Sequence, residues 1–222
     1  MNIISIQNGK NLIIDKKETY RYLGYHFGGE VPLDDELEKI VDELTAKLKE
    51  NITPRCIYEI YKLTVDENTC KLYQYHMDNN NTASSDNIFL SINSQKLSAH
   101  IKECRYAILF AATIGPGADM LIRRYSGRST VKSAILQAAG AAAIEAFADE
   151  VTEQIRTEID TLFSQSETKF KMRFSPGYGD FSLEHQKDFF RLLQLEKNLG
   201  MNLNSALLMS PSKSITAVIG VL

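Results

Sequence analysis

The sequence predicts an α+β fold, a single domain with a mainly antiparallel sheet, packed helices and an N-terminal arm. Three observations carry this. Helical segments cluster between separated strand-like runs rather than alternating with them one for one. Residues 106–114, Tyr-Ala-Ile-Leu-Phe-Ala-Ala-Thr-Ile, are nearly all apolar and end at Gly115-Pro116-Gly117, the pattern of a buried strand. Ser129 or Thr130 opens a long helix to about Phe163, with six small residues in a row from Ala138 to Ala143. So little side-chain volume lets another part of the chain approach closely, so this helix is expected to run through the middle of the domain.

The elements follow in order. Residues 3–6 and 12–14 read as a short β ribbon turning at Asn8-Gly9. A charged stretch from Asp15 leads into a helix near Tyr20. Pro32 and Asp34 mark a helix N-terminus, and Leu37, Ile40, Val41, Leu44 and Leu48 recur at helical spacing over 34–50. Pro54 stops it. Residues 55–65 alternate as a strand, with a partner in 69–77. The polar run 78–86 is a loop, and it separates an expected arm, residues 1–85, from a core of residues 86–222. Residues 88–92 form a short strand. Ser94 caps a helix to about Cys104. A helix over 118–125 follows the buried strand. Gly115-Pro116-Gly117 lacks the spacing of a phosphate-binding loop and reads as a plain turn. After the long helix come a loop at 164–168, a strand at 169–174, a helix at 182–199 capped by Gly200, and strands at 205–209 and 215–221 joined through Pro211.

Composition narrows the function. The 222 residues carry a net charge of −3 and are 44% hydrophobic. They show neither the basic footprint of a nucleic-acid binder nor a polybasic membrane anchor. No run of about 18 apolar residues stands out as a membrane span, and the first residues lack the pattern of a signal peptide. Cys56, Cys70 and Cys104 are odd in number and lack Cys-x-x-Cys spacing. They read as reduced thiols in a cytoplasmic protein, not as a disulfide framework or a zinc site.

The stretch richest in chemistry is Arg173-Phe-Ser175-Pro176-Gly177-Tyr178-Gly-Asp180. Pro176 fixes φ near −65° and Gly177 admits positive φ, so Pro-Gly is most simply a type II turn. Arg173 offers a planar fork for a carboxylate or phosphate. The plain alternative, a strand–turn–helix corner with an exposed arginine, fits the same residues. This stretch resembles the Arg-x-x-x-Gly-Tyr signature of the activation domain of cobalamin-dependent methionine synthase. The resemblance continues through the helix at 184–199, Gly200-Met-Asn-Leu203, Met209-Ser-Pro211 and Ser214-Ile-Thr216, and upstream through Ile144-Glu145-Ala-Phe-Ala148. It covers roughly residues 90–220.

That resemblance implies a twisted antiparallel sheet with helices around it, and a ligand, S-adenosylmethionine. It implies reductive reactivation of a split methionine synthase. Cobalamin would be carried by a partner, a corrinoid-binding methionine synthase subunit, and a flavodoxin-like protein would supply the electron. Arg173 would grip the ligand carboxylate, and the backbone of Ser175 and Gly177 would lie against it. Tyr178 would sit where the ligand meets the corrin, and Glu145 and Glu167 would be its carboxylates. Glu145 also begins a 145, 149, 153 stripe of acids that reads equally as a solvated helix face. Family cobalamin modules bind cobalt through Asp-x-His-x-x-Gly. His26, His76, His100 and His185 follow Gly24, Gln74, Ser98 and Leu183 by two places, so none fits, and the chain is expected to act in trans on the corrinoid. A module that only caps a corrinoid protein, and a reactivator of another corrinoid methyltransferase, are the rival expectations.

Overall fold

The structure is a computed structural model and describes residues 2–5, 9–25, 35–74, 88–163 and 168–222. Its centre is an antiparallel sheet in the order β4-β3-β2-β5-β8, with β1 also paired to β2. The strands are β1 (Asn2–Ser5), β2 (Arg55–Asp66), β3 (Thr69–Gln74), β4 (Ile88–Asn93) and β5 (Tyr106–Thr113), and β8 (Ser214–Val221). A separate ribbon pairs β6 (Asn202–Leu203) with β7 (Met209–Ser210). The long β2 pairs with β5 along one edge. Its other edge is shared, Arg55 to Tyr58 with β1 and Tyr61 to Asp66 with β3. The expected division near residue 85 therefore falls between β3 and β4, neighbours in one sheet.

Alternation along the strands gives the sheet two apolar faces. Tyr58, Ile108, Phe110 and Ile219 point to one, against α1 (Lys16–Tyr22), α2 (Asp35–Asn51), α4 (Gly117–Ser126) and α5 (Thr130–Phe163). Ile57, Tyr61, Leu109 and Val218 point to the other, under α3 (Gln95–Ile101), α6 (Gln186–Leu192) and α7 (Leu195–Leu199). The long helix α5 lies at the middle of the first layer, touching α1, α2 and α4. Its small residues admit Lys213, whose side chain lies so close to Gly140 that an added Cβ would come 3.1 Å from Lys213 Cε. By length and composition α5 could cross a membrane, which corrects the expectation that no segment has that character. Ile135, Leu136, Ile144, Phe147, Val151 and Ile155 are instead buried in the core.

The structure moves four expected elements. Residues 12–14 form no strand, because β1 takes the edge of β2 that β3 leaves open; Leu12 is buried in the core and Ile13 is exposed. The expected helix 182–199 is a 3-10 turn at Leu183–His185 followed by α6 and α7, broken where Gln194 adopts φ +48°. The left-handed backbone at Gln194 ends α6, and Asn198 Nδ2 donates at 2.8 Å to the Leu193 carbonyl that a continuous helix would give to the Lys197 amide; Leu192, Leu193 and Leu195 are all buried. Residues 205–208 form a loop rather than a strand, because Asn204 Oδ1 accepts from the Ala206 and Leu208 amides. The expected strand 169–174 is an irregular run along β8. Phe170 bridges Val221 and Phe174 bridges Val218, so four steps on one side meet three on the other. One extra residue reverses which face a side chain takes. Phe170 accordingly packs on the α5 side and Phe174 in the opposite core. The loop at 78–86, His26, Pro32, Asp34, His76 and most of 164–168 lie outside the described residues.

Candidate functional site

The bulged run along β8 brings Arg173 up to α5. Arg173 Nη2 donates to Glu145 Oε2 at 2.8 Å. Nη1 donates to Asp149 Oδ1 at 2.8 Å and to Thr152 Oγ1 at 3.4 Å. Glu145 and Asp149 are one helical turn apart, so a single fork reaches both. The Arg173 side chain is only 18% exposed, while those of Glu145 and Asp149 are 47% and 74% exposed. The pairing leaves Nε and one Nη2 hydrogen without a protein acceptor among the described residues, enough for a carboxylate to approach side-on.

Arg173, Glu145 and Ser175 line one open groove of about 860 Å³. The α5 side adds Asp149, Glu150, Thr152, Glu153 and Arg156. Phe170, Pro176, Met209 and Ile215 give apolar wall, and Gln186 and Thr216 give buried polar floor. Arg156 pairs with Glu153 at 2.8 Å and lies over the Phe170 ring. The groove thus offers a cation for a carboxylate at Arg173 and several carboxylates for positive charge along α5. That is the arrangement a zwitterionic or cationic ligand needs. It contains no paired nucleophile and base.

The turn beside the groove has the expected form. The Tyr178 amide donates to Ser175 O at 3.1 Å, with Pro176 and Gly177 between them and Gly177 at φ +92°. The Gly177 amide donates to Phe181 O at 2.7 Å and closes the following corner. Gly177 and Tyr178 stand on this rim and are not part of the groove wall. Tyr178 is 68% exposed, its ring edge-on to Phe174. Glu167 lies outside the described residues. His185 pairs with Asp188 and packs against Phe181, away from the groove.

Asp180 fixes the turn to the rest of the domain. Its carboxylate accepts from Ser94 Oγ at 2.6 Å and from the Gln95 and Lys96 amides at the start of α3. The Ser94 bond, followed by those amides, holds the Asp180 carboxyl below the usual carboxylate range. Since the folded value is the lower one, this carboxylate stabilises the fold above the ordinary aspartate range. The contribution disappears as pH falls through the folded value. Asp180→Asn is therefore expected to lower the melting temperature at neutral pH and to flatten the acid limb of the stability curve below about pH 4. Thermal melts of both proteins from neutral to acid pH check this; parallel curves would remove Asp180 as an anchor.

Sequence reasoning singled out Arg173, Ser175 and Glu145 but not Asp149 as their companion. The 145, 149 spacing was visible, and only the bulge in the 170–174 run along β8 shows what faces it. Gln186 and Thr216 lie in stretches that carry the resemblance, the helix at 184–199 and Ser214-Ile-Thr216, but no side-chain role was implied for either.

The family described as vitamin B12 dependent methionine synthase, activation domain, matches residues 35–221. Among curated proteins none matches. Among solved structures, the crystal structure of the MetH reactivation domain bound to AdoHcy is similar, with a TM-score of 0.66 at 17% identity. The likeness covers 99% of this chain and 77% of that one. At that identity the likeness establishes the shared fold, while the match over residues 35–221 establishes the family. The chain belongs to the activation domains of vitamin B12-dependent methionine synthase.

Proposed function

We propose that this chain binds S-adenosylmethionine in the Arg173 groove and presents its methyl group to a cobalamin carried by a methionine synthase subunit. The observation that carries the reading is Arg173, aimed by Glu145 and Asp149 along a groove of about 860 Å³ in a chain of this family. A ligand of this size with a carboxylate, an ammonium and a sulfonium fits that charge pattern, and the solved relative was crystallised with AdoHcy. Cobalamin held by the partner would supply the nucleophile once a flavodoxin-like donor had provided one electron. The methyl group leaves as sulfonium becomes neutral thioether, so no acid or base is required of this chain.

The work left to the residues is orientation and exclusion of water. Arg173 takes the carboxylate through Nε and Nη2. The backbone at Ser175 and Gly177 supports the ligand, and Glu145 serves both Arg173 and the ligand's positive end. Tyr178 is exposed beside Phe174, and Met172 and Leu208 are also exposed, 82% and 62%. These apolar groups suit a face that closes over a corrin. The three thiols are buried, as fits proteins of a reducing cytoplasm.

The test mixes the protein with its reduced corrinoid partner, S-adenosylmethionine and an electron donor, and follows methylcobalamin by absorbance. Methylation faster than without this chain is expected. One observation favours a rival, a module that covers a corrinoid without turning over S-adenosylmethionine: Arg173 is already engaged by two carboxylates. Calorimetric titration with S-adenosylmethionine separates the two. Reactivation of a different corrinoid methyltransferase shows in which partner responds.

A further inference from the structure

We propose that Lys213 is a modification site, an amine placed to take an acyl group from a thioester or an acyl phosphate. The inference stands apart from the S-adenosylmethionine reading. Lys213 directly precedes β8, and its backbone is held there, since the Ile114 amide donates to Lys213 O at 3.1 Å. Its side chain runs along α5 at Gly140, where an added Cβ would meet Lys213 Cε at 3.1 Å and Cδ and Cγ at 3.4 Å. The residue is half-buried, and Nζ has no hydrogen-bond or ion-pair partner among the described residues. Nor is Nζ one of the enclosed unpartnered atoms, so it keeps access to solvent. Asp119 on α4 acts on it through space alone, since that carboxylate accepts from the Ser212 amide at 2.7 Å and from the Ser212 hydroxyl. Gly140, the α5 residue against the stem, brings no charge. Other lysines are paired: Lys16 with Glu38 and Asp42, Lys171 with Glu103, and Lys187 with Glu184.

These surroundings select the chemistry. An ammonium is kept charged by water or by a carboxylate, and Lys213 has lost much of the first without gaining the second. Burial pushes the Lys213 ammonium down from its ordinary value, and Asp119 offsets only part of that. The free amine is the nucleophile, and the ammonium is not. In the acylation step the nitrogen lone pair attacks the acyl carbon. A C–N bond forms, and the bond from that carbon to sulfur or to phosphate oxygen breaks. The leaving group takes the electron pair as thiolate or phosphate, and the proton lost from nitrogen goes to water. Nothing is oxidised or reduced. The amide so formed is neutral, so it suits the half-buried position better than the ammonium does.

The experiment incubates the full chain at mildly alkaline pH with acetyl phosphate in one arm and acetyl-CoA in the other. Peptide mass spectrometry follows each lysine over time. In at least one arm Lys213 is expected to label at least about threefold faster than the exposed Lys62 and Lys102. Fast labelling by acetyl phosphate alone selects the small donor, and fast labelling by both admits either class. Lys213→Met keeps the stem along Gly140 and removes the amine. It should melt no lower than wild type, because no ion pair is lost. Labelling of Lys213 no faster than that of Lys62 and Lys102 in both arms overturns the assignment. A Lys213→Met variant that melts well below wild type also overturns it, since the ammonium would then have a partner that keeps it protonated. Neither result bears on the Arg173 groove.

Discussion

Arg173→Ala is expected to weaken S-adenosylmethionine binding by roughly a hundredfold. The Nε and Nη2 donors left open by Glu145 and Asp149 would form the side-on fork proposed for the ligand carboxylate. Charge-assisted bonds contribute about 1.5–3 kcal/mol each, and two of them in a half-open groove correspond to about two powers of ten. Removal also leaves Glu145 and Asp149 facing the ligand carboxylate with no cation between them, and this repulsion adds to the loss. Arg173→Lys should recover only a small part. Its ammonium is a point charge that the two α5 carboxylates already draw, and it has no second nitrogen to offer. Calorimetry gives the affinities, and circular dichroism checks that the fold is intact. Affinities within a factor of two of wild type in both variants would remove Arg173 from the site.

The fold was legible where local chemistry and burial agree. Pro54, the alternation of 55–65 and the apolar run 106–114 all reappear as β2 and β5. Ser94 caps α3 through the Leu97 amide as its position implied. Legibility failed where tertiary competition decides. Residues 12–14 have strand-like side chains, but the available edge of β2 had gone to β1 and β3. The break at Gln194 rests on a left-handed backbone and on Asn198 taking the Leu193 carbonyl, which helical periodicity does not reveal. The site shows the same division. Arg-x-x-x-Gly-Tyr is a local pattern, so Arg173 and Gly177 could be read directly. Asp149 and Gln186 join the groove lining only through the register of the 170–174 bulge and the packing of α6.

Gly177→Val is expected to destabilise the fold by about 2 kcal/mol and to weaken S-adenosylmethionine binding at least about tenfold. The backbone at Gly177 has φ +92°, where a β-branched residue is a genuine outlier. Leaving the left-handed region saves an L-residue about 1–2 kcal/mol. A valine would therefore pull the turn toward negative φ. Contact is the smaller problem. An added Cβ would lie 3.1 Å from Leu183 Cδ1, the far end of a side chain that can swing away. The backbone is the larger one, because the turn closes through Tyr178 N to Ser175 O and Gly177 N to Phe181 O. Reversing φ at Gly177 breaks both bonds and moves Ser175 and Pro176, which line the groove. Gly177→Asn separates the two causes, since asparagine tolerates this position of a type II turn. It should fold nearly as well as wild type and keep most of the affinity. Urea unfolding and calorimetry on the three proteins give both quantities. Valine and asparagine variants of equal stability and affinity would show that the positive φ of Gly177 does not hold the site in shape.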